Sequence, residues 1–240
     1  MNITTAGIVL HSTKYSDTSL IVKIFTEAQG TQSFIIKGAF GKKSRTKAAL
    51  FSPMALVNIT YNDHAGDRLK FLKEASRTDS AANITFDPVK SSLLLFYNEL
   101  IYKLLFDAGS DSVLFRFLED EIRKVSAYDT CPADLPLRFL IRLSVILGFF
   151  PENNYSDKAP YFSLEQCRFQ AYCLDEHNDL PEAESRYLAH LLREDERPAA
   201  DRQTRNRLLH YLIEYYKIHN EQLKNVESVE ILSTILHSNS

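Results

Sequence analysis

Hydrophobic and polar residues alternate along short runs in the first 80 residues. Between residues 57 and 61, Val57, Ile59 and Tyr61 alternate with Asn58 and Thr60, a period of two that is typical of a half-buried β-strand. Turn residues separate five such runs, at 7–15, 19–26, 31–40, 54–62 and 68–76. Five short strands predict a small closed β-barrel, because closure removes the exposed edges of so small a sheet.

The pattern changes to a helical period after residue 87. Asp87 is the predicted N-cap of a first helix, Pro88 occupies its first position, and Gly109 is predicted to end it. Gly148 and Pro151 are predicted to end the third helix. The predicted helices cover 87–109, 112–125, 134–148, 183–194, 202–220 and 228–236. The stretch 161–175 reads as a short β-hairpin between the third and fourth helices.

These elements predict an α+β protein of two domains. The first is a five-stranded barrel over residues 1–80, and the second is an all-helical domain over 81–240 with a small hairpin insertion. The boundary is expected in the polar, aperiodic stretch 78–87. The OB-fold is a five-stranded barrel of this kind, and its exposed face and loops commonly bind oligonucleotides.

Composition is that of an ordinary globular protein, with 45% hydrophobic and 25% charged residues. No apolar run reaches the roughly 18 residues that indicate a membrane span, and Arg142 interrupts the longest one. We expect no signal peptide, since the start of the chain lacks a basic segment followed by an apolar one. Three cysteines do not form a disulfide framework, so a reducing cytoplasm is expected.

Charge is unevenly distributed along the chain. The whole protein has a formal charge of -3, yet residues 1–80 hold eleven Lys and Arg against six Asp and Glu. The segment 37–47 contains no acidic residue and concentrates five basic ones: Lys37, Lys42, Lys43, Arg45 and Lys47. Such asymmetry points to nucleic-acid binding by the basic part, and chance distribution of solvated side chains is the alternative.

A basic loop on a small barrel has a clear use, because lysine and arginine can follow a phosphate backbone and release its counterions. Aromatic residues on the barrel face, such as Phe25, Phe34, Phe40 or Tyr61, would stack on unpaired bases. For any one of them, burial in the core is the commoner fate.

Several segments of the chain carry motifs of a known protein family. The resemblance begins at GIVLHSTKYSDTSLIVKIFT and continues into KGAFGKKSR, which is similar to the family's glycine-containing basic loop. It resumes at FLIRLSVILGFFP and returns at RLLHYLIEYY and LKNVESVEIL. The segments occur in the same order as in the bacterial RecO family of DNA repair proteins, which the chain resembles over most of its length.

The resemblance implies an N-terminal OB-fold, a helical C-terminal domain and a non-enzymatic role in the cytoplasm, at the nucleoid. Members bind single- and double-stranded DNA, anneal complementary strands, bind the acidic and hydrophobic C-terminal tail of single-stranded DNA-binding protein (SSB), and act with RecR to load RecA onto SSB-coated strands. Carried over by position, the basic residues of 37–47 would contact DNA. Arg142 matches a helix arginine of the family, and a groove rimmed by Arg138 or Arg142 would receive the SSB tail. A filled core whose arginines pair with nearby acids is the alternative.

The chain departs from the family at a zinc site. Many members carry four cysteines after the Gly-aromatic-x-Pro segment, whereas here only Cys167 and Cys173 are present, with His177 nearby. This spacing does not suit zinc, so we expect no structural metal, no cofactor, and a remnant hairpin at about 155–178.

Two other functions remain open from the sequence. One is an OB-fold adaptor that binds only protein partners, whose basic loop would meet an acidic surface. The other is a nucleic-acid enzyme without a local signature. No P-loop, GxGxxG, HExxH or GxSxG motif is present, and the acidic run 118–121 fits helix-surface ion pairs, Glu119 with Arg123 and Asp120 with Lys124, better than a catalytic pair.

Overall fold

The structure is a computed structural model that describes residues 2–40, 48–63, 68–78, 87–193 and 200–223. The chain divides into two compact units, which we call the N-terminal unit (1–131) and the C-terminal unit (132–240). The predicted boundary at residue 80 falls outside the described residues and stays a prediction.

A closed barrel forms the centre of the N-terminal unit. The described strands are β1 (Asn2–Lys14), β2 (Leu20–Thr26), β3 (Gly30–Ile36), β4 (Leu56–Asn62) and β5 (Leu69–Arg77). Their order around the barrel is β1-β2-β3-β5-β4, and β4 closes it by pairing with β1. Only β3 and β5 run parallel among these pairs, with Phe34 opposite Lys70. The predicted barrel of OB type is confirmed.

Alternate residues of β2, β3 and β4 fill the barrel interior. Val22, Ile24, Phe34, Val57 and Ile59 are all buried, as a period of two requires when one face of a sheet meets the core.

Two helices complete the N-terminal unit: α1 (Pro88–Leu104) and α2 (Ser112–Ala127). Asp87 caps α1 as predicted, since its carboxylate accepts hydrogen bonds from the amides of Val89 and Lys90. The prediction that Gly109 ends this helix is wrong, because α1 ends at Leu104 and Gly109 lies against Gly30 of the barrel.

Chain segments after α1 are bonded to the barrel. The Thr31 hydroxyl donates to the Leu105 carbonyl at 2.6 Å, and the Thr31 amide donates to the Ala108 carbonyl at 2.9 Å. The Lys23 ammonium donates to the Phe106 carbonyl at 2.8 Å. These bonds hold the α1 terminus on the turn between β2 and β3.

The charged surface of α2 follows one predicted ion pair and departs from the other. Arg123 pairs with Glu119 at 2.6 Å. Lys124 pairs with Glu121 at 2.8 Å rather than with Asp120. Glu121 is buried, and a buried carboxylate requires a cation more than an exposed one does.

The C-terminal unit combines helices with a hairpin. Its described elements are α3 (Leu135–Leu147), β6 (Tyr161–Ser163), β7 (Arg168–Gln170), α4 (Glu182–Leu192), α5 (Arg202–His219) and a 3-10 turn (Glu221–Leu223). Gly148 ends α3 in the left-handed conformation, with φ of 85°. The predicted last helix at 228–236 lies outside the described residues. No helix of the described ranges is long and apolar enough to cross a membrane.

Candidate functional site

The basic segment begins where β3 leaves the barrel. Lys37 directly follows β3 and is exposed, and Gly38 turns the chain with φ of 68°. The remaining predicted DNA-contacting residues, Lys42, Lys43, Arg45 and Lys47, lie outside the described residues. From Ala48 the described chain leads into β4.

A groove in the barrel surface lies at the base of this segment. We call it the barrel groove; its volume is about 250 Å³, and Ile36, Leu50, Leu72 and Ala75 are among the apolar residues that line it. Phe71 forms one side and is 57% exposed. Lys37, Lys73 and Glu74 also line the groove, so it combines apolar walls with charged groups.

The predicted stacking aromatics have different positions. Phe25, Phe34 and Tyr61 are fully buried, so they are core residues and cannot stack on a base. Phe40 is 43% exposed, and the Lys14 ammonium lies 6.0 Å from its ring centroid. Phe71 was not among the predicted aromatics, although it is the more exposed of the two.

A polar network explains why Phe71 faces outward. The buried Lys70 ammonium lies 2.6 Å from Asp63 Oδ1 and 3.0 Å from Gln29 Oε1. The Tyr61 hydroxyl also donates to Gln29 Oε1, at 2.8 Å. Because Lys70 points inward, its neighbours on β5 must point outward.

The network shifts the pKa values of two of its side chains. Hydrogen bonds from Lys70 and Gln29 lower the pKa of the Asp63 carboxyl. Burial, together with the Asp63 charge, raises the pKa of the Tyr61 hydroxyl to about 12. At neutral pH, therefore, Asp63 is ionised and Tyr61 is a neutral donor.

A second groove lies on the C-terminal unit, and we call it the helical groove. It has a volume of about 230 Å³ and is lined by Arg138, Arg142, Ile141, Val145, Phe150 and Leu191, among others. Val145 and Phe150 are more than half exposed. The structure thus brings the two predicted arginines together, one turn apart on α3, beside an apolar floor.

Arg138 of α3 is held by a local ion pair. Arg138 Nε lies 2.7 Å from Asp134 Oδ2, and both side chains are largely buried. The ion pair that the sequence offered as an alternative therefore exists for Arg138. Arg142 stands one turn further along the same groove.

The two cysteines of the hairpin region lie in different environments. Cys167 Sγ lies 3.3 Å from His219 Nε2 of α5, Cys173 is exposed, and His177 lies 3.6 Å from Asp175. Within the described residues, His, Cys, Asp and Glu side chains form no group of three or more that could hold a metal ion.

Aromatic rings pack around the hairpin. Phe169 of β7 packs edge-on against Phe162 of β6 at 5.0 Å between ring centroids, and against Tyr155 at 5.3 Å. Phe162 also meets Tyr215 of α5 at 6.1 Å. Such contacts supply burial and favourable ring geometry together.

Comparison with known proteins identifies the family. The model described as recombination protein O, N terminal, matches residues 1–81, and the model of its C terminal matches residues 85–226. The DNA repair protein RecO of Bacteroides fragilis is 31% identical over 239 residues, covering 96% of this chain and 98% of the relative. That of Phocaeicola vulgatus is 30% identical with the same coverage, and that of Christiangramia forsetii is 28% identical over 98% of this chain and 99% of the relative. With both halves of the chain matched in order, this protein belongs to the RecO family.

Proposed function

We propose that this protein is a recombination mediator in DNA repair. It would bind single- and double-stranded DNA, anneal complementary strands and, together with RecR, help to load RecA onto SSB-coated single strands in the cytoplasm. One observation carries the proposal: both halves of the chain match RecO, and named RecO relatives align over nearly their whole length.

The mechanism would be non-covalent. Lys37 and the basic residues that follow it would neutralise phosphates, so that two strands approach with less repulsion. Contacts to phosphate leave the base edges free to pair. The exposed position of Lys37 at the end of β3 supports this arrangement.

A salt series tests the DNA site. We expect the variant Lys42→Glu, Lys43→Glu, Arg45→Glu to bind a single-stranded oligonucleotide more weakly than wild type. If three phosphate contacts are lost, the slope of log affinity against log salt shrinks by about 2, at roughly 0.7 per contact.

A matched control makes the same change of charge at three positions away from the basic loop. Lys158, Arg168 and Arg193 are exposed in the C-terminal unit and have no ion pair among the described residues. Their triple change to Glu should leave the slope near the wild-type value. Equal slopes for wild type and the loop variant would show that DNA does not bind at the loop. Absence of DNA binding by wild type at low salt would favour an adaptor that binds only protein.

The helical groove would receive the SSB tail. An apolar floor beside arginines complements a peptide that is both hydrophobic and acidic. Val145 and Phe150 supply exposed apolar surface, and Arg142 supplies a cation at the rim.

Peptide binding tests this site directly. A fluorescent SSB-tail peptide should bind Arg142→Ala about ten-fold more weakly than wild type, because a hydrogen bond to a charged group is lost. Val145→Glu should weaken binding by repulsion of the acidic peptide. Arg168→Ala, on the hairpin of the same unit, serves as control. Unchanged affinity in both groove variants would place the tail elsewhere.

A further inference from the structure

Phe71 exposes a large aromatic face at the barrel groove. Its side chain is 57% exposed, although rings of this size usually contribute to a core. The Lys37 ammonium lies 5.0 Å from the ring centroid, within the range of a cation–π contact. The ring is therefore more than half exposed, and the Lys37 ammonium lies over it.

The barrel groove is connected to the basic segment at both ends. Lys37, at the start of the segment, and Leu50, just after it, both line the groove. A DNA strand bound to Lys37 would therefore lie at the mouth of the groove. Its phosphates would then lie near cations while a base lies near Phe71.

Charge at the barrel groove favours an anion over a cation. Among the described residues Lys37 has no ion pair, so its contact with the Phe71 ring leaves its charge open to a phosphate. The Lys73 ammonium is held by Asn2 Oδ1 at 2.8 Å. Glu74 is the carboxylate among the lining residues and is exposed to solvent, so the apolar interior carries no fixed negative charge.

Size and access decide which form of DNA fits. The volume of about 250 Å³ lies below the roughly 300–1,000 Å³ of sites for drug-sized ligands, and it suits one planar ring. Bases of a duplex are paired and stacked, and extruding one costs free energy. An unpaired base enters without that cost and gains stacking on an aromatic ring.

We propose that the barrel groove takes one unpaired base, stacked on Phe71, and that this subsite makes the barrel bind single strands in preference to duplex. The inference rests on the proposed DNA binding and deepens it. Phosphate contacts serve both forms of DNA, whereas the base subsite serves single strands only.

Fluorescence provides a specific test, because the chain contains no tryptophan. In Phe71→Trp the indole is the one such fluorophore, and a stacked base should quench it. We expect a single-stranded thymine oligonucleotide to quench Phe71→Trp and a blunt duplex to leave it unchanged. Phe106→Trp places the indole at another exposed phenylalanine of the same unit and should respond to neither.

Affinity provides the second readout. Phe71→Ala should lose roughly ten-fold in affinity for single strands while its affinity for duplex stays within two-fold of wild type. Phe106→Ala should match wild type for both. Circular dichroism of each variant confirms that the barrel is folded.

The outcomes separate this inference from the proposed function. If wild type binds single strands but Phe71→Trp is not quenched and Phe71→Ala binds like wild type, the subsite is wrong and DNA binding by the basic segment stands. If wild type binds neither form of DNA at low salt, the proposed function fails, and the subsite with it.

Discussion

Gly30 shows how closely two backbones approach in the N-terminal unit. It begins β3 with φ of 70°, a conformation that favours glycine. A Cβ at this position would lie 2.3 Å from the carbonyl carbon of Gly109 and 2.4 Å from the carbonyl oxygen of Ala108. These are backbone atoms that cannot rotate away, so both space and conformation require glycine here.

Replacing Gly30 should therefore be costly. We expect Gly30→Ala to destabilise the protein by about 3 kcal/mol or more, from backbone strain and overpacking combined. Gly38 has nearly the same φ, 68°, but no atom of the described residues lies within 4 Å of the point that a Cβ would occupy there. Gly38→Ala should thus cost only about 1 kcal/mol. Denaturant unfolding of both variants measures the difference, and equal costs would contradict the close approach.

Asp63 links the polar network to pH. Its folded-state pKa lies below the usual 3.8 because Lys70 and Gln29 bond the ionised form. Because the pKa is lowered on folding, the ionised carboxylate stabilises the folded state at pH values above the pKa of the unfolded state. This contribution is lost as the pH falls through the pKa of the folded state.

The stability of the N-terminal unit should accordingly fall as pH drops below about 4. Asp63→Asn keeps hydrogen-bonding atoms but does not titrate, so its stability should depend less on pH in this window. Thermal unfolding from pH 6 to pH 2 compares the two. Parallel curves for wild type and variant would show that Asp63 contributes nothing to the acid transition.

The inverted pattern of β5 marks a limit of sequence analysis at this scale. In Leu69-Lys70-Phe71, hydrophobicity alone points Leu69 and Phe71 inward, yet both are exposed and Lys70 is buried. The partners of Lys70, Asp63 and Gln29, come from other parts of the chain. Pairing across the barrel decides which face of β5 is buried, and this pairing cannot be read from the local alternation of residues.

At the scale of elements, the residues that cap helices could be predicted from the sequence. Asp87 before α1 and Gly148 after α3 act as the sequence predicted, because capping depends on residues within one turn. Gly109 was misassigned because its neighbour Gly30 is far away in sequence. The choice of Glu121 over Asp120 as the partner of Lys124 likewise depends on burial in the fold.

The hairpin of β6 and β7 depends on its rings in this account. Phe169 is 2% exposed and contacts both Phe162 and Tyr155. We expect Phe169→Ala to cost about 3–5 kcal/mol and treatment with EDTA to leave the melting temperature of wild type unchanged. Cys173→Ser, at an exposed position, should change stability by less than about 0.5 kcal/mol. A clear drop in melting temperature on chelation would instead reveal a structural metal.

At the scale of the whole molecule, two surfaces have different chemistry. We propose the basic segment and barrel groove for DNA, and the helical groove for an apolar, acidic peptide. Arg138 and Arg142 could be placed together from sequence because they are four residues apart on one helix. The barrel groove could not, since β3, β5 and residues 50–51 meet only in the folded barrel.

The central claim is best tested by annealing complementary oligonucleotides, bare or coated with full-length SSB. Wild type should speed annealing of both. The variant Lys42→Glu, Lys43→Glu, Arg45→Glu should lose activity on both, because the phosphate contacts are gone. Arg142→Ala combined with Val145→Glu should lose activity on coated strands only. Failure of wild type to speed annealing of bare strands, or full activity in the loop variant, would contradict the account.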